Sequence, residues 1–505
     1  MSKVASPEKP KIERRVSTGI PGLDDVLNGG LPRGHLYLIE GDPGTGKTTV
    51  ALQFLLEGIR QGEPGLYVTL SESKQELEIV AASHGWSLAQ LPIYEMAPLQ
   101  DEIDPEAQYT IFHPSDVELS DTIASVLKQV DSLAPQRVVF DSLSELRMLA
   151  RDPLRYRRQI LALKRYFAGR GCTVLLLDDR TAEGDDLQLQ SIAHGVLMMQ
   201  SLDRDFGIKR RRLEVRKLRG SKFREGFHDY SIETGHVVVY PRLIAAEHKP
   251  GFVRHYVSSG VSQLDALLGG GLHTGTSTLM IGPAGSGKST VAMQYAVAAA
   301  ERGDRTVLFT FDESLATLIE RSKGLGMDFT SHMEAGTIEI QQIDPAELSP
   351  GEFVTGVRDA VSQKNAKIIV IDSLNGFLSS MPNEQALTLQ LHDLLAYLGQ
   401  QGIVAIMTLS QYGFVGSNMN TPIDVSYLAD SVLLFRYYEV RGEVKQAISV
   451  VKKRTGGHER TIRELSFNKN GVNVGEALRK FEGVLTGTPR FIEQIGVTES
   501  ANSDK

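Results

Sequence analysis

The sequence predicts an α/β protein of two tandem domains, each built on a mainly parallel, twisted sheet flanked by helices. Three observations lead to this prediction. A glycine-rich motif occurs twice, the sequence around it repeats at a constant offset, and short apolar runs alternate with amphipathic segments in both copies. Runs of Val, Ile and Leu without polar interruption are typical of strands buried on both faces of a parallel sheet.

The glycine-rich motif has the pattern G-x-x-x-x-G-K-[ST], as GDPGTGKT at residues 41–48 and GPAGSGKS at residues 282–289. Backbone N–H groups of such a loop wrap the phosphates of a nucleoside triphosphate. Its Lys reaches the β- and γ-phosphates and its last hydroxyl ligates Mg²⁺. An apolar strand enters each copy and a helix leaves it, which is the context that the motif requires. We therefore predict two sites for ATP with Mg²⁺, formed by Gly44, Thr45, Gly46, Lys47, Thr48 and Thr49 and by Gly285, Ser286, Gly287, Lys288, Ser289 and Thr290.

The repeat extends over a whole domain. Gly19 corresponds to Gly260 and Lys47 to Lys288, in each case 241 positions later, and a constant offset of this kind indicates duplication. Each copy ends in strand-like segments, at residues 195–239 and 430–474, and residues 240–255 form the expected linker. We predict a flexible lead-in at 1–15, a first domain at 16–246, a second domain at 247–488 and a C-terminal tail at 489–505.

The composition is that of an ordinary soluble protein, with 41% hydrophobic and 23% charged residues among 505. No apolar run approaches the roughly 20 residues of a membrane span, and the N-terminus lacks the apolar core of a signal peptide. Cys172 is the only cysteine, which excludes an intramolecular disulfide and favours a cytoplasmic location. The net charge of −8 argues against a general nucleic-acid binder.

Two carboxylates are candidate metal ligands. Asp141 and Asp372 each close an apolar strand and precede Ser-Leu, in FDSL and IDSL. A carboxylate at that place can hold Mg²⁺ beside the motif hydroxyls of Thr48 and Ser289. The alternative is an Asp that only caps a strand-to-helix junction.

Three further acids are candidates for activating or orienting the attacking group. Glu72 in LSES and the pair Asp312-Glu313 in FDES follow the second strand of each repeat, with Glu72 and Glu313 again 241 apart. A solvated acid at a strand end is the alternative. Because the first repeat has one acid where the second has two, we expect the two sites to be non-equivalent.

Cationic residues recur near the end of each repeat. Lys217 and Arg219 in KLRG correspond to Lys452 and Arg454 in KKRTGG, far from both glycine-rich loops in sequence. We expect them to reach the γ-phosphate of a neighbouring subunit. The wider basic run at residues 209–224 could be a strip for nucleic acid, but its counterpart is far less basic, which favours a charged hairpin or a subunit seam.

Together, the doubled motif, the acids after the second strand, the DSL elements and KLRG resemble the KaiC family, the two-domain RecA-superfamily ATPases of circadian systems. The resemblance runs from about residue 17 to residue 492. It implies RecA-like domains stacked as two rings of a homohexamer, ATP between subunits, slow hydrolysis in the first ring and autophosphorylation in the second. It further implies nucleotide contacts from Ser83, Lys217, Leu218 and Arg219 in the first ring and from Lys452, Arg454, His458 and Arg460 in the second.

The sequence departs from the family pattern at two places. Ser71 stands where the family has the first of two adjacent acids, so Glu72 is expected to act alone. Ser426 and Tyr427 stand where the clock protein has neighbouring Ser and Thr phosphoacceptors, which leaves Ser426 as the candidate acceptor.

We predict a KaiC-like, ring-forming ATPase with a serine autokinase activity in its second domain. Two alternatives stay open, a nucleotide-gated assembly scaffold for an unidentified signalling protein and a RecA/RadA-like DNA-dependent ATPase. They predict nucleotide-dependent oligomer size and DNA-stimulated turnover, respectively.

Overall fold

The computed structural model describes residues 14–96, 114–150, 152–179, 187–203, 207–248, 251–379, 384–413, 425–486 and 489–491. The chain forms two compact units, Met1–Arg242 and Leu243–Lys505. The unit boundary lies four residues before the predicted one, because Leu243 and Ala245 are buried in the core of the second unit. Most of the predicted lead-in and tail, residues 1–13 and 492–505, lies outside the described residues.

The first unit has eleven strands and seven α-helices among its described residues. The strands are β1 (Arg15–Val16), β2 (Leu31–Pro32), β3 (Leu36–Gly41), β4 (Gly65–Thr69), β5 (Ile93–Glu95), β6 (Arg137–Asp141), β7 (Thr173–Asp179), β8 (Gly195–Leu202), β9 (Arg210–Leu218), β10 (Phe227–Glu233) and β11 (His236–Tyr240). The helices are α1 (Leu23–Val26), α2 (Lys47–Arg60), α3 (Lys74–Ser83), α4 (Pro114–Leu133), α5 (Leu143–Ala150), α6 (Pro153–Ala168) and α7 (Leu187–Ile192).

The second unit repeats this pattern and begins with a short 3₁₀ turn, Ala245–Glu247. Its strands are β12 (Tyr256–Val257), β13 (Leu272–His273), β14 (Ser277–Gly282), β15 (Thr306–Thr310), β16 (Ile338–Gln342), β17 (Ile368–Asp372), β18 (Val404–Ser410), β19 (Ser431–Val440), β20 (Glu443–Lys453), β21 (Ile462–Asn468), β22 (Gly471–Ala477), β23 (Phe481–Glu482) and β24 (Arg490–Phe491). Its helices are α8 (Ser262–Leu267), α9 (Lys288–Glu301), α10 (Leu315–Gly324), α11 (Phe329–Glu334), α12 (Pro350–Ser362), α13 (Leu374–Ser379) and α14 (Glu384–Gln400), followed by a 3₁₀ turn at Val484–Thr486.

Each unit contains one nine-stranded sheet, in the order β11-β10-β9-β8-β3-β7-β6-β4-β5 and β16-β15-β17-β18-β14-β19-β20-β21-β22. Six neighbouring strands of each sheet pair in parallel, in the spatial orders β5-β4-β6-β7-β3-β8 and β16-β15-β17-β18-β14-β19. The three remaining strands, β9 to β11 and β20 to β22, extend each sheet with antiparallel pairing. This confirms the predicted fold class, and the strand-like segments predicted at the end of each repeat form these antiparallel edges.

Alternating side chains on the central strands enter two separate cores, one on each face of the sheet. Ile39 and Leu175 pack with α2 on one face, whereas Leu38 and Leu176 pack with α5 and α6 on the other. The second sheet divides its side chains in the same way. Because both faces are covered, the strands carry the uninterrupted apolar runs from which the parallel sheet was predicted.

The glycine-rich loops lie where β3 and β14 end, at the carboxyl edge of each parallel sheet. The strand β7 ends beside β3 and β6 ends beside β7, while β18 ends beside β14 and β17 ends beside β18. Ligands of open α/β sheets bind at this edge, so the fold brings the strand-end acids to the loops.

Candidate functional site

Both glycine-rich loops lead into a helix whose first N–H groups are left without a side-chain cap. The N-cap residues Gly46 and Gly287 have φ of 89° and 101°, in the left-handed region, and neither helix has a side-chain hydrogen bond at its start. A Cβ atom would lie 2.4 Å from Ile232 Cδ1 at Gly46 and 2.2 Å from Phe467 Cζ at Gly287, so a larger residue would displace these side chains in addition to straining the backbone. Uncapped N–H groups at a helix start form an anion site suited to phosphates.

The loop lysine has different partners in the two units. Lys47 Nζ donates to the carbonyls of Gly41 and Asp42 at 2.7 and 3.0 Å and forms an ion pair with Asp179 Oδ1 at 2.7 Å. Lys288 Nζ donates to the carbonyls of Gly282 and Pro283 at 2.9 and 2.7 Å. Burial lowers the pKa of Lys288 to about 8.

The register of the sheet explains this difference between the lysines. Asp179, at the end of β7, is opposite Gly41, and the residue opposite Gly282 is Ser410. The first unit therefore offers a carboxylate at the position where the second offers a hydroxyl.

A strand-end aspartate faces the loop hydroxyl in the first unit. Thr48 Oγ1 donates to Asp141 Oδ2 at 2.8 Å, and the Tyr67 hydroxyl donates to the same oxygen at 2.5 Å. Burial raises the pKa of Asp141, which means that its charged form lacks solvation and would be stabilised by a cation.

The second unit repeats the arrangement with other neighbours. Asp372 accepts a hydrogen bond from Thr408 Oγ1. Burial raises the pKa of Asp372, and hydrogen bonds from Thr408 and Ser289 partly oppose that shift. Within the described ranges no three His, Cys, Asp or Glu side chains form a cluster that could hold a metal. One carboxylate with one hydroxyl is instead a donor set that fits Mg²⁺ sharing its shell with phosphates and water.

Glu72 has a buried carboxylate oxygen that finds no hydrogen-bond partner among the described residues. Thr69 Oγ1 fixes its backbone, accepting from Glu72 N at 3.0 Å and donating to its carbonyl at 2.6 Å, while Oε2 is both buried and unpaired. Burial, followed by the negative charges of Asp141, Glu76 and Asp179, raises the pKa of Glu72.

The two acids of the second unit are held by separate partners. Ser373 Oγ donates to Asp312 Oδ2. Arg321 Nε and Nη2 donate to Glu313 Oε1 and Oε2 at 3.0 and 2.6 Å, a bidentate ion pair. Arg321, Asp179 and Phe467 are site residues that the sequence analysis did not identify. Asp179 could have been found because it ends a parallel strand, but Arg321 had no such signal, since Val80 stands at the same place in the first repeat.

The cationic segments do not lie at the glycine-rich loop of their own unit. Arg219 N donates to the carbonyl of His194, whose own N–H donates to Leu36 O at the start of β3. Leu36 and Gly41 are the two ends of β3, so at about 3.3 Å per residue the backbone of Arg219 is roughly 16 Å from the level of the loop. Arg454 N bonds Asp430, which bonds Ser277 at the start of β14, so the second unit has the same layout.

In both units these cations hold the carbonyls of a segment that precedes a strand. Lys217 donates to Gln190 O and Arg219 to Ser191 O, the latter at 2.6 Å. Lys452 donates to Ser426 O at 2.9 Å and Arg454 to Tyr427 O at 2.8 Å. The candidate phosphoacceptor Ser426 thus lies in the segment that the candidate trans cations hold.

The other residues implied by the family resemblance have these positions. Leu218 is buried in the apolar core of the first unit. Ser83 ends α3, and its hydroxyl donates to Val80 O at 2.7 Å. His458 and Arg460 lie in the loop between β20 and β21, which Glu459 N anchors to Leu267 O at 3.0 Å.

Two arginines of the basic run of the first unit are engaged within the sheet. Arg210 is buried, and Arg212 donates to Gln200 Oε1 at 2.8 Å while its guanidinium stacks over Phe227 at 3.9 Å. Side chains held in this way do not form an open strip of cations.

The comparisons with known proteins assign both halves of the chain to one family. The family model for the KaiC ATPase matches the chain twice, over residues 16–244 and 257–479. The circadian clock oscillator protein KaiC of Thermosynechococcus vestitus is 29% identical over 500 residues, which are 97% of this chain and 95% of that protein. The circadian clock protein KaiC3 of Synechocystis is 27% identical over 489 residues, 96% of each chain. KaiC of Synechococcus elongatus is 28% identical over 486 residues, 95% of this chain and 92% of that one.

In the part of the chain that the structure describes, no helix combines the length and the apolarity of a membrane span.

Proposed function

The chain belongs to the KaiC family of two-domain ATPases, and from that premise we propose that each of its domains binds and hydrolyses Mg²⁺-ATP as part of a homohexameric ring in the cytoplasm. One observation carries the proposal. In both units an uncapped helix start, a buried lysine, a loop hydroxyl and a strand-end aspartate meet at the carboxyl edge of a parallel sheet.

Binding is assigned to the loops and the strand-end acids. Lys47 and Lys288 hold the β- and γ-phosphates, and the N–H groups that start α2 and α9 surround them. Asp141 with Thr48, and Asp372 with Ser289, would hold Mg²⁺, which when bound neutralises charge on the phosphate oxygens.

Glu72 activates or orients the attacking water in the first domain. Its unpaired buried oxygen can accept a proton, and because burial raises its pKa the carboxylate is a stronger base than an exposed glutamate. Glu313, supported by Asp312, has this role in the second domain. The single acid of the first site and the paired acids of the second are the expected non-equivalence.

Assembly into a ring completes each site. Lys217 and Arg219, or Lys452 and Arg454, lie at the opposite edge of the sheet from their own loop, so we assign them to the γ-phosphate bound by a neighbouring subunit. Ser83 and Leu218, together with His458 and Arg460, are proposed as further nucleotide contacts at the same seams. Fixed cations that face the developing charge are worth about 10³–10⁵-fold in rate when supplied in trans.

Subunit mixing tests this assignment. One variant, Lys47→Ala/Lys288→Ala, lacks the loop lysines, and the other, Arg219→Ala/Arg454→Ala, lacks the trans cations. Each should be nearly inactive alone, and a mixture should recover turnover at seams that pair an intact loop with an intact cation. Recovery without mixed oligomers, or mixed oligomers without recovery, would contradict the assignment. Native mass spectrometry supplies the count of mixed rings.

A serine autokinase activity is a second proposal, favoured by the contact between Lys452 and the Ser426 carbonyl. A γ-phosphate placed near Lys452 by a neighbouring subunit would be close to the Ser426 hydroxyl. The hydroxyl oxygen then attacks the γ-phosphorus and displaces ADP, and its proton passes to the Glu313 that lies beside the loop holding the nucleotide. Label from γ-labelled ATP should appear on Ser426 and disappear in Ser426→Ala and in Lys288→Ala. Label retained in Ser426→Ala would disprove the acceptor, and the exposed Tyr427 would be mapped next.

The remaining alternatives predict other behaviour. A nucleotide-gated scaffold for a signalling protein would change oligomer size with ATP while turning over slowly and independently of Ser426. A DNA-dependent ATPase would be stimulated by DNA, with binding that weakens steeply with salt. The engaged side chains of Arg210 and Arg212 do not favour the second alternative.

A further inference from the structure

Arg321 connects the acid of the second site to the helix that follows the loop. Its guanidinium donates to both oxygens of Glu313, at 3.0 and 2.6 Å, and Nη1 donates to Thr290 Oγ1 at 2.9 Å. Thr290 follows Ser289 in the first turn of α9. Only about a quarter of each side chain in the ion pair is exposed, at 29% for Arg321 and 23% for Glu313. Bidentate Arg–carboxylate pairs are among the strongest charge-assisted contacts in proteins.

Among the residues of the first unit that the structure describes, Glu72 has no counterpart of this ion pair. The helices α3 and α10 begin two residues after Glu72 and Glu313, and both follow a serine N-cap, so their positions correspond one to one. The residue that corresponds to Arg321 is Val80, which packs against the apolar core. One substitution between the repeats thus separates a restrained acid from an unrestrained one.

Arg321 also lines the space that the nucleotide phosphates would enter. A cavity of about 520 Å³ is bounded by Gly287, Lys288, Ser289, Glu313 and Arg321, with Phe467 on a further wall. Among the described residues, the charged groups near Glu313 include Arg321 on α10, Lys288 on α9, Asp372 on β17 and the adjacent Asp312. A nucleoside triphosphate would bring several negative charges into this cavity, where they compete with Glu313 for the guanidinium.

We propose that Arg321 is a positioning residue that restrains Glu313 and releases it only in the fraction of bound complexes in which phosphate oxygens take over the guanidinium. The inference rests on the proposed function, in which water adds to the γ-phosphorus, its proton passes to Glu313, and the bond to the bridging oxygen breaks to release ADP. While both Glu313 oxygens accept N–H groups of Arg321, the carboxylate is a poorer acceptor for that proton. Arg321 therefore slows chemistry at the second site and strengthens nucleotide binding there.

The test uses chains that carry Lys47→Ala, so that only the second site turns over. Arg321→Val, which installs the first-repeat residue, should raise kcat about five-fold, because Glu313 is no longer held. It should raise KM about five-fold, because the phosphates lose a cation. Arg321→Lys keeps the charge but not the fork, so KM should return close to the parent value while kcat stays high.

Other kinetic outcomes would overturn the proposal. A kcat that falls in both variants makes Arg321 a group that stabilises the transition state, and unchanged kcat and KM give it no role. Glu313→Gln in the same background separates this failure from failure of the proposed function. If that variant turns over as fast as its parent, Glu313 does not act on the nucleophile at all.

A double-mutant cycle gives a readout that needs no turnover. Calorimetric unfolding of nucleotide-free chains would compare Arg321→Val, Glu313→Gln and the combined variant. The combined shift should be clearly smaller than the sum of the single shifts, because either change removes the same ion pair. Additive shifts would show that the pair does not restrain Glu313 in solution.

Discussion

The two glycine-rich loops have nearly the same geometry, but the two sites differ in which charged side chain is held by an ion pair. In the first domain the loop lysine is paired, Lys47 with Asp179, while Glu72 has an unpaired oxygen. In the second domain the acid is paired, Glu313 with Arg321, while Ser410 replaces the aspartate beside Lys288. A duplicated site can therefore diverge through single side chains on neighbouring strands and helices while its loop stays the same.

The difference also suggests what limits each site. A nucleotide entering the first site must draw Lys47 away from Asp179, which affects binding. A nucleotide at the second site must draw Arg321 away from Glu313, which affects chemistry.

The largest expected effect is the loss of ATP turnover when the acid of either site is replaced. Glu72→Gln, in a chain whose second site is disabled by Lys288→Ala, should lower turnover about 10²-fold or more, the usual cost of losing a general base. Glu313→Gln in the Lys47→Ala background should cost less, because Arg321 already restrains that carboxylate and Asp312 remains. Steady-state ATP hydrolysis measures both. Equal losses would remove the distinction between a free and a restrained acid.

An intermediate effect concerns acid stability, which should differ between the domains. His228 is buried in the first domain, where its Nδ1 accepts from Arg242 N and its Nε2 donates to Arg224 O, and burial lowers its pKa to about 4. The unfolded chain binds a proton at this histidine near pH 6.5, whereas the folded chain binds it only near pH 4. The free energy of unfolding is therefore highest above pH 6.5 and decreases as the pH falls to about 4. The loss is about 3 kcal/mol.

Trp86 is the only tryptophan and packs against the core of the first domain, so its fluorescence reports the unfolding of that domain alone. The denaturant midpoint should fall between pH 6.5 and 4.5, and His228→Gln should flatten that dependence. The same slope in His228→Gln would mean that another group titrates.

The smallest expected effect tests the lysine pair. Asp179→Ser gives the first site the residue of the second, and should tighten ATP binding about five-fold, since a partly exposed ion pair contributes about 1 kcal/mol. The reciprocal change, Ser410→Asp, should weaken binding at the second site by a similar factor. Titration with a fluorescent ATP analogue measures both, each with the other loop lysine replaced by Ala. If Asp179→Ser weakens binding, Asp179 supports the site rather than competing for Lys47.

The fold and much of the site were predictable because their signals are local. Uninterrupted apolar strands, alternation with helices and a fixed loop motif each follow from neighbouring residues, and each motif of the first repeat has a counterpart in the second. Asp141 and Asp372 were predictable for the same reason, since each ends such a strand. The domain boundary was less predictable, because the burial of Leu243 and Ala245 depends on the helix against which they pack.

By itself, the sequence determined that this protein has two P-loop domains of one family, with loop lysines, loop hydroxyls and strand-end acids in matching positions. Only the tertiary structure decided which of these groups are restrained. Thr48 meets Asp141 across 93 positions, and Lys47 meets Asp179 because parallel strands distant in sequence end at one edge of the sheet. Arg321 lies only eight positions after Glu313, but the contact of its guanidinium with Thr290 joins α10 to α9 across 31 positions. Such contacts depend on register and helix packing, which no short stretch of sequence contains.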